Sequence, residues 1–279
     1  MQKFVEQKFI GERAMFGVKD AEFERCGFAA GESPLKHGQN LRLKNCIFEW
    51  KYPLWYAKNI AVEDGFLTQT ARAGIWYAQD VSFKDTLIQA PKSFRRCQNV
   101  RLENVNLTRA EETLWSCADA EIKNVCAHED YFAMNCENVR VYGLNLDGNY
   151  GFDGCKNLLV EDSKLLNKDA FWNCENVTVR NSFISGEYLA WNSKNVTFEN
   201  CTIESLQGLC YVQNLMLRGC RTLDTTLAFE YSSVDVEILG GIASVKNPLS
   251  GVIRAREIGE VIIEKECVDP AATKIIYLK

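Results

Sequence analysis

An Asn or Asp returns every 19 to 21 residues along this chain, and an alternation of aliphatic residues follows it each time. The position is held by Asp20, Asn40, Asn59, Asp80, Asn99, Asp119, Asn138, Asn157, Asn176, Asn195 and Asn214, and it weakens to Ser233. A period of this size belongs to solenoids, in which one repeat cannot bury its apolar face alone and must stack on its neighbours.

Counting from the Asn or Asp as zero, positions one and three are apolar almost throughout, as in Leu41 and Leu43, Val100 and Leu102, or Val196 and Phe198. A period of two means strand. Position five is Asn, Asp or Gly (Asn45, Asp64, Asp85, Asn104, Asn124, Gly143, Asp162, Asn181, Asn200, Gly219), the residue types that accept left-handed backbone angles most cheaply. A corner is expected there. A small or apolar residue at position six and an aliphatic one at position eight, such as Cys201 and Ile203, then read as a second short strand.

A third strand is expected on segments such as Leu54-Trp55-Tyr56-Ala57, Ile75-Trp76-Tyr77-Ala78, Leu114-Trp115-Ser116-Cys117 and Phe171-Trp172-Asn173-Cys174. Their first and last columns are apolar or small and should face the core. The second mixes Trp with Arg, Met and Asp and should face solvent. Three short strands per 19–21-residue rung describe an all-β, right-handed parallel β-helix (solenoid) of about 11–12 rungs. A hexapeptide left-handed helix would need turns built from sixes, which are absent. A pentapeptide-repeat helix is the nearer rival, because the first two strands read as consecutive fives, but the third side does not keep that spacing.

The repeat runs without a break in composition, so one β-helix domain over residues 1–279 is expected. Residues 1–19 form a cap or partial rung, 20–241 the regular rungs, and 242–279 an irregular last rung with a C-terminal cap. The 32 basic and 37 acidic residues leave a net charge of −5, the wrong sign for a general phosphate-backbone binder, and no nucleic-acid partner is expected. The first residues lack a signal-peptide core, and no apolar run is long enough to span a bilayer. A cytoplasmic protein with no membrane partner is the expectation.

Of the 12 cysteines, Cys97, Cys117, Cys136, Cys155 and Cys174 lie two residues before the repeat position, and Cys26, Cys46, Cys201 and Cys220 lie six after it. Columns of this kind read as interior thiols filling a narrow core rather than as a disulfide framework. No CxxC pair exists and the two histidines, His37 and His128, fall in different registers, so neither a metal nor another cofactor is expected.

The Asn-Val-x-Val-x-Asn register, the Trp-x-Cys third strand and the length together resemble an uncharacterised bacterial domain-of-unknown-function family (number 3737) with a pectin-lyase-like right-handed β-helix. The resemblance covers essentially the whole chain. It implies that fold and brings no assigned activity or catalytic residue with it. More broadly, the architecture is similar to that of polysaccharide lyases and hydrolases, which place the substrate groove on the strand after the long variable connection; by that analogy the groove here is the third side. Fold alone does not confer their function.

Five of the six Trp share the third-side register, Trp50 being the exception. Trp115, Trp172 and Trp191, with Tyr131, Tyr150 and Tyr188 at the edge and Glu112 and Glu187 beside them, are the expected substrate-binding residues, since rings offer flat apolar faces to sugars and carboxylates accept from hydroxyls. Asp153, Asp169 and Asp130 are the candidate catalytic residues. Glycoside hydrolysis needs a protonated acid and a second carboxylate about 5 to 9.5 Å apart, and one or two rungs of stacking supply such a separation. The expected function is therefore a carbohydrate-binding or glycoside-hydrolase-like β-helix with an oligosaccharide ligand, and whether it is an enzyme stays open. The alternative is a non-enzymatic scaffold whose aromatic face docks another protein or a second copy of the chain as a homo-oligomer.

Overall fold

The computed structural model describes residues 1–279, which form two compact units, residues 1–146 and residues 147–279. Both are right-handed parallel β-solenoids, almost without helix; a single 3-10 turn covers Gln69–Ala71. No helix is long and apolar enough to cross a membrane.

In the first unit the first side is a stack of the strands Gln2–Val5, Lys19–Glu24, Gln39–Lys44, Lys58–Glu63, Gln79–Lys84, Gln98–Glu103, Ala118–Lys123 and Glu137–Tyr142. Successive strands pair in parallel with like residues in register: Leu41 with Ile60, Ile60 with Val81, Val81 with Val100. The second side is a stack of two- and three-residue strands such as Phe66–Leu67, Leu87–Ile88 and Asn106–Thr108. In the second unit the first side runs through Lys156–Glu161, Glu175–Arg180 and Lys194–Glu199, then through the longer strands Gln213–Thr226, Ser233–Lys246 and Ser250–Ile262 to Thr273–Tyr277.

About fifteen turns are present, rather than the eleven or twelve expected. The surplus lies at the two termini. Gln2–Val5 and Lys8–Phe9 form a full rung paired with Lys19–Glu24 and Gly27–Phe28, and the last three strands keep stacking where the Asn signal has faded. There the corner is a bulge, with register shifts between Leu217 and Cys220 and between Ile238 and Gly241.

Corner residues behave as their chemistry dictates. Asn45, Asp85, Asn104 and Asn181 have φ between 49° and 54°, and the repeat position is left-handed too, with Asn40 at 54° and Asn176 at 59°. The third side differs from the expected strand. In most rungs its first and third columns are also left-handed, as in Phe94 and Arg96, Leu114 and Ser116, or Phe171 and Asn173, and the pairing there is limited to isolated β-bridges, Trp76 with Arg95 and Arg95 with Trp115 in the first unit and Ala228 with Val245 and Glu230 with Pro248 in the second. Alternating left-handed residues fold the segment into consecutive turns, and Asn or Gly in the third column (Asn135, Gly154, Asn173, Asn192) is the sequence mark of it.

The expected facing of that side holds: Leu54 and Ala57 are buried, Trp55 is half-buried and Tyr56 is exposed. Phenylalanines fill the interior in stacks, Phe28 on Phe48 at 5.1 Å and Phe152 on Phe171 at 5.4 Å. The nine columnar cysteines are buried and unbridged. Those before the repeat position also donate weak bonds to the carbonyl that opens the preceding rung's third side, Cys117 Sγ to Phe94 at 3.1 Å and Cys174 Sγ to Phe152 at 3.0 Å. Ser193 does the same for Phe171 at 2.7 Å, so the column selects a small buried donor.

Candidate functional site

The third side carries two outward columns in each unit. In residues 1–146 the inner one runs Trp55, Trp76, Arg95, Trp115. The rings of Trp55 and Trp76 stack at 5.0 Å and 8° from parallel, and the Arg95 guanidinium lies between the indoles of Trp76 (5.1 Å) and Trp115 (4.1 Å). Arg95 also pairs with Glu112, which Lys92 approaches at 3.4 Å. Each indole N–H is tied to a carbonyl of the next rung: Trp55 to Ala73 at 2.6 Å, Trp76 to Lys92 at 2.8 Å and Trp115 to Tyr131 at 3.2 Å. The outer column stacks His37 on Tyr56 (5.1 Å, 14°) and Tyr56 on Tyr77 (5.0 Å, 5°). Ring faces in this unit are thus covered by the neighbouring rungs, and ring edges meet solvent.

Of the candidate residues, this unit brings together Glu112, Trp115, Asp130 and Tyr131. Tyr131 meets Trp115 edge-on at 6.3 Å, and the Glu112 amide donates to the Asp130 carbonyl at 3.1 Å. Next to Asp130 stands Glu129, one of the carboxylates that the sequence clusters beside the aromatic face. It is 5% exposed, and neither carboxyl oxygen has a hydrogen-bond partner. Burial pushes its carboxyl well above the usual carboxylate range, and the charges of Glu111 and Asp130 add to the effect. The Thr113 hydroxyl is the opposing influence, but its proton is already given to the Ala110 carbonyl.

In residues 147–279 the inner column runs Asp153, Trp172, Trp191 and ends in the buried Cys210 and Glu230. Trp172 keeps the tie, donating to the Tyr188 carbonyl at 2.7 Å. Trp191 does not. The equivalent acceptor, the Gln207 carbonyl, lies 3.4 Å from the Cys210 thiol, which also reaches the Gly208 and Leu227 carbonyls at 3.5 Å, and the Trp191 N–H has no protein partner. Its ring is tilted 33° from Trp172 and 42° from Tyr211, with centroids at 6.2 and 4.4 Å, and Tyr188 meets it edge-on at 6.0 Å.

The outer column here is polar over two rungs, Asn173 and Asn192, before it turns aromatic at Tyr211 and Tyr231. Asn173 Nδ2 donates to Asp153 Oδ1 at 2.9 Å, and Asn192 Nδ2 donates to Asn173 Oδ1 at 2.9 Å. Asn173 and Asn192 are exposed and Asp153 is half-buried. Asp169 stands one rung from Asp153 in the column of Tyr150 and Tyr188, and it is 3% exposed. Burial raises its carboxyl above the usual range, against the pull of Lys168 and of the Tyr150 hydroxyl that donates to it. Tyr150 also packs edge-on against Trp172 at 5.9 Å. Glu187 is taken by Lys168 at 3.0 Å. Within this unit the structure therefore gathers Tyr150, Asp153, Asp169, Trp172, Glu187, Tyr188 and Trp191, while Asp130 belongs to the other unit.

Two features escaped the sequence reading. Trp50, set aside there, lines a cavity of about 380 Å3 with Lys51, Gln69, Thr70, Arg72 and Pro91, where the rung is lengthened by the 3-10 turn. On the first side, position four alternates in sign through Glu24, Lys44, Glu63, Lys84, Glu103 and Lys123, with Lys44–Glu63 at 3.5 Å and Lys84–Glu103 at 3.6 Å. Stacking in register places equal positions one rung apart, so an alternation visible every second repeat was the signal.

The chain belongs to the family described as protein of unknown function, DUF3737, which it matches over residues 2–276. No curated protein matches it. Among solved structures it is similar to PfbA, a surface adhesin of Streptococcus pneumoniae (10% identity, 77% of this chain and 70% of that one, TM-score 0.41). It is also similar to a mutant of the periplasmic alginate epimerase AlgG (8% identity, 99% and 74%, TM-score 0.36) and to a double mutant of the tailspike protein of E. coli bacteriophage HK620 (11% identity, 97% and 63%, TM-score 0.34).

Proposed function

We propose that this DUF3737 member is a carbohydrate-binding β-helix that holds an oligosaccharide along Asp153, Asn173, Asn192, Trp191 and Tyr211 on the third side of residues 147–279. The observation that carries the reading is the carboxamide ladder beside a free indole N–H. Asn173 spends one N–H and one carbonyl lone pair along the column and Asn192 spends one N–H, which leaves each of the two rungs a donor and an acceptor for solvent, about 4.8 Å apart. Sugar hydroxyls donate and accept at once, so a row of groups that do both is their natural partner.

The same geometry supports binding rather than hydrolysis. An acid catalyst must reach the glycosidic oxygen. Asp169 is buried and accepts from the Tyr150 hydroxyl, and Asp153 is engaged by Asn173. A glycan array probed with the labelled full chain tests the proposal. Wild type is expected to bind neutral or weakly acidic oligosaccharides, and Asn173→Ala/Asn192→Ala to bind about tenfold less tightly, the equivalent of ~1.4 kcal/mol, with an unchanged far-UV spectrum. An array on which wild type binds no glycan, or a double variant that binds as wild type does, overturns it.

A further inference from the structure

The Asn/Asp column of the first side is a hydrogen-bonded chain with a direction. Asn40 Nδ2 donates to Asp20 Oδ1 at 2.8 Å, Asn59 to Asn40 at 2.8 Å, Asn99 to Asp80 at 2.7 Å and Asn138 to Asp119 at 3.0 Å. Every bond runs from the later rung to the earlier. A carboxamide can accept from one neighbour and donate to the other, whereas an ionised carboxylate only accepts. The chain must therefore break wherever Asp follows Asn. This happens twice in residues 1–146, at Asn59 facing Asp80 and at Asn99 facing Asp119, and no bond joins either pair. At each break two acceptors look at one another across a rung, about 4.8 Å, with no donor between them.

The two breaks differ in what flanks them. Beside Asn99 and Asp119 the outward residues two positions on are the long side chains Arg101 and Glu121. Beside Asn59 and Asp80 they are Ala61 and Ser82, paired in register, and the missing bulk leaves a hollow of about 320 Å3 lined by Asn59, Asp80, Asn99, Ala61, Ser82 and Arg101. Arg101 is exposed and makes no hydrogen bond or ion pair with the protein. The hollow thus presents two acceptors without donors, Asn59 Oδ1 and the second oxygen of Asp80, together with one guanidinium without an acceptor.

We propose that this hollow is a binding site for a single sugar ring, whose neighbouring hydroxyls bridge the broken rung by donating to Asn59 and Asp80 and accept from Arg101. The volume lies in the range of small-molecule pockets, about 300–1,000 Å3. A hard cation is disfavoured, because it needs about six or more oxygens and meets here a single carboxylate beside a guanidinium. A simple anion is repelled by Asp80. Groups that donate and accept from adjacent atoms satisfy all three residues. The site lies in residues 1–146 on the first side and does not rest on the third-side ladder.

Titration of the full chain with glucose, galactose, mannose, N-acetylglucosamine and glucuronate, followed by amide chemical shifts, tests it, with calcium alone as a separate arm. At least one sugar should shift the amides around residues 59–61 and 80–82. Asp80→Asn supplies the missing donor to Asn59 and closes the chain, so its melting temperature should rise while sugar affinity falls at least tenfold. Asp119→Asn closes the other break, and should raise the melting temperature and leave sugar affinity unchanged. The proposal is overturned if no sugar shifts those amides, if Asp80→Asn binds as tightly as wild type, if Asp119→Asn loses binding equally, or if calcium occupies the hollow and excludes the sugar.

Discussion

In residues 1–146 the third-side indoles of Trp55 and Trp76 lie 8° from parallel, a guanidinium continues the stack to Trp115, and all three indole N–H groups end on carbonyls of the next rung. In residues 147–279 Trp172 and Trp191 are 33° apart, Trp191 keeps its N–H free, and the neighbouring column is Asn173 and Asn192 instead of Tyr56 and Tyr77. The register is the same and the chemistry is not. A column with a ring or a planar cation at every rung satisfies itself, face on face, and has little left for a ligand. Where Cys210 and Glu230 enter the column, the thiol lies 3.4 Å from the carbonyl that a fifth indole would have used, and Glu230 is drawn in by Lys246 (2.9 Å) and Gln207 (3.1 Å). Two inward-turning residues are enough to convert a closed ladder into one with donors to spare.

That contrast is confined to the surface, and the largest predicted effect shows it. Phe94 and Phe171 occupy corresponding interior positions of their own units, each fully buried, Phe94 edge-on to Phe83 at 5.1 Å and Phe171 stacked on Phe152. Truncation to Ala should cost ~3–5 kcal/mol in each unit, read by urea unfolding. A loss below about 1 kcal/mol at either position would mean that the two interiors are not equivalent.

The next effect separates the units by pH. Glu129, in the first, has its carboxyl raised by burial, so the folded state holds its proton more tightly than the unfolded chain does. The stabilisation this brings is complete below the unfolded value near 4.5 and is lost as pH rises through the raised folded value. Glu129→Gln cannot ionise, so its melting temperature should approach or exceed that of wild type as pH goes from 4 to 8. Parallel melting curves for the two proteins across that range would show that Glu129 does not titrate on unfolding.

Most of the fold was legible because stacking in register writes geometry directly into the sequence. The Asn/Asp period, the alternation after it and the corner at position five each follow from one residue type repeating at one place. The third side was misread as strand because its apolar first and last columns have the spacing of a strand, and burial cannot tell an extended segment from consecutive turns. Asn and Gly in its third column carried that information. The candidate site was legible as a set of columns, which placed Trp172, Trp191 and Asp153 correctly on one face. What a column cannot reveal is which way its members spend their hydrogen bonds. That depends on the rung beside each one, and it is why Asp169 accepts from Tyr150, and why the Trp191 N–H is free and that of Trp115 is not.

The smallest effect is the sharpest test of the comparison. Phe in place of Trp keeps an aromatic face and removes the indole N–H. At Trp76 the change leaves the Lys92 carbonyl without its donor, 2.8 Å away in wild type, and should cost about 1 kcal/mol. At Trp191 no protein bond is lost, since its N–H has no protein partner, and the expected cost of the missing hydrogen bond is nil. Side by side, Trp76→Phe should lower the unfolding free energy and Trp191→Phe should not, whereas oligosaccharide binding should weaken for Trp191→Phe and hold for Trp76→Phe. Equal losses of stability at both positions would place Trp191 in the same closed ladder as Trp76, and the free donor on which the binding surface depends would be gone.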